Sequence, residues 1–177
     1  MSKSITQTDR LILRTWKTTD IAPFTAMCSD KEVMRYFPAC LSKKETISLV
    51  KRFHERYEQN GFTYYAVELK ETGEFLGFCG MLMQTYDSPF TPNVDIGWRL
   101  KKAAWGKGYA TEAAKACLKL AKETLALKTI ISVASYTNVP SIRVMQKIGM
   151  ERVGSFEHPA LIENTDLNPC VVYQISL

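Results

Sequence analysis

The sequence has no apolar run of membrane-spanning length, no internal repeat and no low-complexity tract, so it indicates neither a helical membrane protein nor a repeat array. Histidine is scarce, represented by His54 and His158 alone. The five cysteines, Cys28, Cys40, Cys79, Cys117 and Cys170, are odd in number and scattered, without the paired spacing of a zinc site. No metal is expected, and the thiols read as reduced, small hydrophobes of the interior. Residues 1–7 offer no apolar stretch to act as a secretory signal, which makes the cytoplasm the expected compartment. Lysine and arginine are absent from residues 155–177, where Glu157, Glu163 and Asp166 lie. Side chains up to residue 154 therefore sum to +8 and the remainder to −3. A basic body suits a polyanionic small molecule, and an acidic carboxy-terminal loop would attract a cationic amine. Single-stranded nucleic acid asks for aromatic side chains interleaved with basic ones, and that pattern is missing. No membrane partner is indicated, and oligomeric state is not legible.

What is present is the composition of an ordinary folded domain. With 177 residues, 46% of them hydrophobic and 23% charged, one domain over 1–177 can bury a sizeable core. Residues 8–14 read as a first strand with Leu11 and Leu13 on one face. A short helix over 20–29 and a turn over 32–37 closed by Pro38 follow. Ser42 and Glu45 have the spacing of a capping box, opening a helix through Leu49, Val50, Phe53 and Tyr57 that stops at Asn60 and Gly61. Residues 63–69 and 75–83 predict an antiparallel hairpin. In the next strand Val94, Ile96, Trp98 and Leu100 share one face, while Asp95 and Gly97 point the other way. Residues 128–135 are rich in β-branched side chains and read as a buried strand parallel to it, because a helix separates the two. A helix over 140–148 closed by Gly149, and strands over 151–156 and 169–175, complete a mixed α/β order.

The chain is organised around Trp105-Gly106-Lys107-Gly108-Tyr109-Ala110, which joins the strand over 94–100 to an amphipathic helix. Ala113, Ala114, Cys117, Leu118, Ala121 and Leu125 form the apolar stripe of that helix, and Thr111, Lys115, Lys119 and Lys122 its polar one. A new helix exposes N–H groups, and no Ser, Thr, Asp or Asn stands just ahead of this one to cap it. Glycine backbone, a helix end with roughly +0.5 charge and Lys107 together suit a pyrophosphate. A turn that merely needs glycine is the plainer alternative. Two known phosphate motifs fail. Gly108 stands where the Walker pattern needs Ser or Thr, and Thr111 occupies the position of the third glycine of the dinucleotide fingerprint, with no acid between Leu125 and Met150 to hold a ribose.

The loop instead resembles the acyl-CoA loop of the GNAT (N-acetyltransferase) superfamily, Gln/Arg-x-x-Gly-x-Gly/Ala, with Gly108 and Ala110 at the small positions and Trp105 in place of the family's Gln or Arg. The resemblance extends over nearly the whole chain. Thr8-Asp9-Arg10-Leu11-Ile12-Leu13-Arg14, Trp105-Gly106-Lys107-Gly108-Tyr109-Ala110-Thr111-Glu112-Ala113 and the set Asn138, Ser141, Lys147 and Gly149 are similar to motifs of the branch containing ribosomal-protein N-terminal acetyltransferases. It implies an α/β (α+β) fold, with a mostly antiparallel mixed sheet of about seven strands flanked by helices.

The resemblance also implies acetyl-CoA as cosubstrate and an amine as acceptor: a peptide amino terminus, a polyamine, an antibiotic or another small amine. Residues 105–110 would take the pyrophosphate. Gly97 and Trp98 would pair with the pantetheine arm where the two parallel strands splay, and Asn138 would touch it. Acetyl transfer needs a base for the amine and a proton for the departing thiolate. Asp95 fits the family's acid on this strand, although a carboxylate in a sheet can also be idle. The family's usual thiolate acid is a tyrosine four residues before the helix-ending glycine, and that position is Met145, which cannot donate. Ser141 carries a hydroxyl nearby and is the substitute. Asn138 also has the position of a plain helix cap. Lys147 would reach the adenosine phosphates or remain solvated, and His158, with an ordinary pKa near neutrality, would be a base, a substrate contact or a surface residue. A noncatalytic acyl-CoA-binding module and a nucleotide-binding protein are the alternatives.

Overall fold

In a computed structural model, residues 2–177 are described. Their strands are β1 (Ser4–Gln7), β2 (Leu11–Arg14), β3 (Tyr64–Leu69), β4 (Phe75–Gln84), β5 (Asn93–Leu100), β6 (Thr129–Ser135), β7 (Glu151–Phe156) and β8 (Cys170–Ser176). The helices are α1 (Ile21–Ser29), α2 (Lys43–Asn60), α3 (Tyr109–Glu123) and α4 (Val139–Lys147). All eight strands form one sheet in the order β1-β2-β3-β4-β5-β6-β8-β7.

The mostly antiparallel mixed sheet is the one expected, with eight strands in place of about seven. The first strand does not begin at Thr8: residues 8–10 turn, with the Thr8 N–H bonded to the Leu11 carbonyl at 2.9 Å, and the polar segment before them pairs back on β2 as β1. A four-residue strand containing one apolar residue, Ile5, carries no readable period.

The other boundaries follow local chemistry. The Ser42 hydroxyl accepts from the Glu45 amide at 3.3 Å, while Glu45 accepts from the Ser42 amide at 2.7 Å, so two orphan donors at the start of α2 are satisfied reciprocally. At its other end the Gly61 N–H reaches the Tyr57 carbonyl at 2.9 Å with φ of 77°, a left-handed turn that ends the helix.

The two larger of three buried clusters lie against opposite faces of the sheet. On one, the small buried residues of α3, among them Ala113, Ala114, Cys117 and Ala121, pack with Leu11, Leu13, Val67, Met81, Val94 and Ile96. On the other, α1 and α2 cover an aromatic cluster of Trp16, Phe24, Phe53, Phe75 and Phe78, with ring centroids between 4.7 and 6.1 Å apart for six of the pairs. Removing one such ring typically costs about 3–5 kcal/mol, since neighbouring rings cannot collapse into the space. All five cysteines are free, and four are buried; Cys40 is exposed.

Among the described residues, β5 and β6 are the only parallel neighbours, and their ladder has one registered pair, Asp95 with Ile131. The Ser132 hydroxyl donates to the Ile96 carbonyl at 2.8 Å, in place of a backbone bond. Beyond this point the strands part, and the sheet opens beside the glycine loop.

Candidate active site

At the start of α3 no side chain caps the helix. Gly108 precedes Tyr109 with φ of 80° and no cap bond. Gly106 has φ of 73°, and a Cβ added there would meet nothing within 4 Å, so backbone conformation rather than crowding calls for glycine. The result is an open, positive helix end fronted by glycine backbone, which suits a phosphate.

The loop is braced from both sides. The Arg10 guanidinium donates to the Lys107 carbonyl at 3.0 Å, pairs with Glu112 at 2.6 Å and lies 4.6 Å from the Tyr109 ring centroid. Glu112 also accepts from the Arg10 amide and the Thr8 hydroxyl. Partial burial acts to raise its pKa, but the bonds from Thr8 and Arg10 prevail and hold it below the ordinary carboxylate range. On the far side, the Trp105 indole N–H donates to the Leu100 carbonyl at 2.8 Å, so the residue that replaces the family's Gln or Arg fastens the loop to β5.

A cleft of about 780 Å³ runs from this loop along the parted strands to the aromatic face of the sheet. Asp95, Gly97, Trp98, Trp105, Gly106, Gly108, Tyr109, Ala110, Asn138 and Ser141 all line it. Lys107 does not; its carbonyl is engaged by Arg10 instead.

Asp95 is the buried carboxylate of the cleft, 8% exposed. The Tyr64 hydroxyl lies 2.9 and 3.1 Å from its two oxygens. Burial pushes the Asp95 pKa up to about 6, with the Tyr64 and Gln84 bonds pulling the other way. Burial, and then the neighbouring carboxylate, push the Tyr64 hydroxyl well above its usual value, so tyrosine is the donor. Gly97 makes this contact possible, because a Cβ there would stand 2.8 Å from the Tyr64 oxygen. A carboxylate tuned close to neutrality and held by the Tyr64 and Gln84 bonds can accept a proton at physiological pH.

On α4, the Asn138 side chain accepts from the Ser141 amide at 3.2 Å and is the helix cap. Ser141 lines the cleft, and Met145, buried beside it, fills the position of the family tyrosine. Lys147 lines the cleft at the end of the same helix. His158 is not a free surface group: its ring packs 4.5 Å from Tyr86, and its Nδ1 accepts from the Ala160 amide at 3.1 Å. Burial lowers its pKa, which favours neutral imidazole. Glu157, Glu163 and Asp166 do not line the cleft.

A model of the Acetyltransferase (GNAT) domain matches residues 10–151. This chain is a GNAT acetyltransferase. It is 35% identical over 145 residues to the uncharacterized protein YkkB of Bacillus subtilis (strain 168), covering 81% of this chain and 83% of that one. It is 31% identical over 150 residues to the uncharacterized N-acetyltransferase YnaD of the same organism, covering 85% and 84%. Among solved structures, the ribosomal L7/L12 alpha-N-protein acetyltransferase RimL in complex with coenzyme A superposes with a TM-score of 0.80 over 99% of this chain and 98% of that one. At 15% identity that likeness is one of fold.

Four further residues shape the site beyond those that the sequence motifs single out. Tyr64 opens β3 and looks like any aromatic strand residue until β4 brings it across to Asp95. Tyr86 sits in a loop. Arg99 shares the face of Asp95 and Gly97 by strand alternation, a signal that was available. Arg10 lies in the opening motif, but nothing local shows that it reaches a loop about a hundred residues on. Among the described residues there is no group of three metal-ligating side chains and no helix long and apolar enough to cross a membrane.

Proposed function

We propose that this GNAT acetyltransferase moves the acetyl group of acetyl-CoA directly onto a primary amine, without a covalent enzyme intermediate. The observation that carries the reading is the union in one cleft of an uncapped, glycine-fronted helix and a buried carboxylate with a pKa of about 6. Bound acetyl-CoA would supply an acyl thioester as electrophile. Gly106, Gly108, Tyr109 and Ala110 would hold its pyrophosphate, with Trp105 fixing the loop and Lys107 adding a screened charge at its rim. Gly97, Trp98 and Asn138 would line the pantetheine arm along the unpaired edge of β5.

Asp95 would take a proton from the attacking ammonium, directly or through water, so that a neutral amine meets the thioester. Tyr64 would hold that carboxylate in one orientation. As the C–S bond breaks, the Ser141 hydroxyl would protonate the departing sulfur and recover its proton from solvent, since Met145 has none to give. The cytoplasm fits the reduced thiols.

Incubation with acetyl-CoA and a panel of peptides, polyamines, aminoglycosides and small amines, followed by mass analysis of the products, tests this. Acetylated product is expected from at least one amine, together with free CoA in equal amount. CoA binding with no product from any amine would favour a noncatalytic acyl-CoA-binding module. ATP or a dinucleotide binding as tightly as CoA would favour a nucleotide-binding protein.

A further inference from the structure

This chain treats two inward-facing arginines in opposite ways. Arg14, buried at the end of β2, is paired with Asp20 at 2.7 Å and with Glu68 at 2.7 Å. Arg99, on the cleft face of β5, forms no ion pair among the described residues. Its terminal nitrogen donates to the Cys28 sulfur at 3.5 Å, its guanidinium lies 3.8 Å from the Phe37 ring centroid and 5.4 Å from that of Phe78, and its buried Nε has no acceptor. Desolvation lowers the Arg99 pKa, the mark of a cation that burial has left uncompensated. A guanidinium presents a planar fork of donors suited to a carboxylate or phosphate.

The surroundings repeat the sign. A second cavity, of about 270 Å³, shares Tyr64, Phe78, Gln84 and Arg99 with the cleft, and Arg52 and Arg56 line it with no Asp or Glu. Among the described residues, Arg56 reaches only the Gln59 side chain, at 3.5 Å. The cleft's carboxylates are already engaged: Asp95 holds the Tyr64 hydroxyl, and Glu32 is paired with Lys102. Phe78 joins the two ends of the arrangement, since it stacks on Tyr64 at 4.9 Å and also lies under Arg99.

We infer that the acceptor carries an anionic group, a carboxylate or a phosphate, a few bonds from its amine, and that Arg99 with Arg52 and Arg56 forms the subsite for it. The inference rests on the acetyltransferase reading for the fate of the amine. The anion satisfies the donors of Arg99, while the amine lies toward Asp95. It runs against the cationic acceptor suggested by the acidic tail, whose Glu157, Glu163 and Asp166 line neither cavity.

Matched pairs separate these ideas. Calorimetry on the CoA-saturated protein would compare tyrosine with tyramine, ornithine with putrescine, and O-phosphoethanolamine with ethanolamine. In at least one pair the anion-bearing member should bind about tenfold or more tightly, and the pair that shows this distinguishes carboxylate from phosphate. Arg99→Gln should bring that ratio toward one, with Arg99→Lys retaining part of it. The exposed double variant Arg52→Gln/Arg56→Gln should reduce it even if Arg99→Gln fails to fold. Affinities within twofold in every pair, no binding by any member, or a ratio unchanged in the double variant and in any folded Arg99 variant would overturn the subsite. Product analysis on the same samples is a separate readout: an amine that binds but is never acetylated counts against the transferase reading and leaves the subsite standing.

Discussion

On the proposed reading, the two faces of the sheet would recognise through different parts of the chain. On the α3 face the core is aliphatic and finely grained, and the glycine loop offers backbone N–H groups to a ligand. On the α1 and α2 face the core is aromatic, and the cleft is furnished with side chains, Tyr64, Asp95 and Arg99, each drawn from a different stretch of sequence or strand position. Backbone recognition depends on φ angles and helix direction, both local properties. Side-chain recognition depends on which strands become neighbours, and Tyr64 meets Asp95 only because β4 lies between β3 and β5. A cosubstrate site of the first kind tolerates variation of the residues around it, whereas an acceptor site of the second kind can be retuned by a single substitution.

The sharpest way to separate the faces is Asp95→Asn. Loss of a general base typically lowers turnover by about 10²–10⁴-fold, and acetyl-CoA affinity should not follow. The same substitution should stabilise the fold. Folded Asp95 holds its proton up to a pKa of about 6 against a reference of 3.8, so ionising it between those values costs stability, at most about 3 kcal/mol at neutral pH. Thermal unfolding at pH 7 should therefore show a higher Tm in the variant, and the difference should vanish below about pH 4. In the parent, kcat/KM should fall as pH drops through about 6. Tyr64→Phe removes a bond that favours the carboxylate and should move that limb upward. A limb that persists in Asp95→Asn would remove Asp95 as base.

Next in size is the backbone side. Gly108→Val places a branched residue at φ of 80° and at the phosphate approach, and should weaken CoA binding by more than about tenfold. Lys107→Ala, which removes one exposed charge outside the cleft, should change it by less than about twofold. Unchanged affinity in a folded Gly108→Val protein would mean that the cradle lies elsewhere.

Ser141→Ala should lower turnover with little change in acetyl-CoA affinity, because the hydroxyl acts on charge that develops late. Equal turnover, measured where chemistry limits the rate, would leave the hydroxyl structural. Arg10→Ala should raise the Kd for CoA a few-fold by loosening the loop that Arg10 ties to Glu112. That pair is about half exposed on the arginine side, and its contribution to stability is about 1 kcal/mol or less. The smallest effect is expected from charge reversal at Glu163 or Asp166. Both lie outside the cleft lining, and a screened field at that range should move the acceptor KM by less than about twofold. A large, salt-sensitive rise would revive the cationic acceptor.

Local chemistry by itself determined the capping box at Ser42, the glycine-fronted helix at Tyr109, the Asn138 cap and the opposed faces of Val94 and Asp95. Each is written in residues within a turn or a strand of one another, so the physical rule and its signal occupy the same window. β1 escaped because its four residues have no period. Only the tertiary structure decided that Arg10 braces the loop around Lys107, that Gly97 is small to admit Tyr64, that Met145 is a buried wall of the cleft, and that Arg99 is left unpaired beside two further arginines. Those outcomes hang on strand order and on the parting of β5 from β6, and such long-range pairings are settled by how whole faces bury together rather than by any residue's own preference.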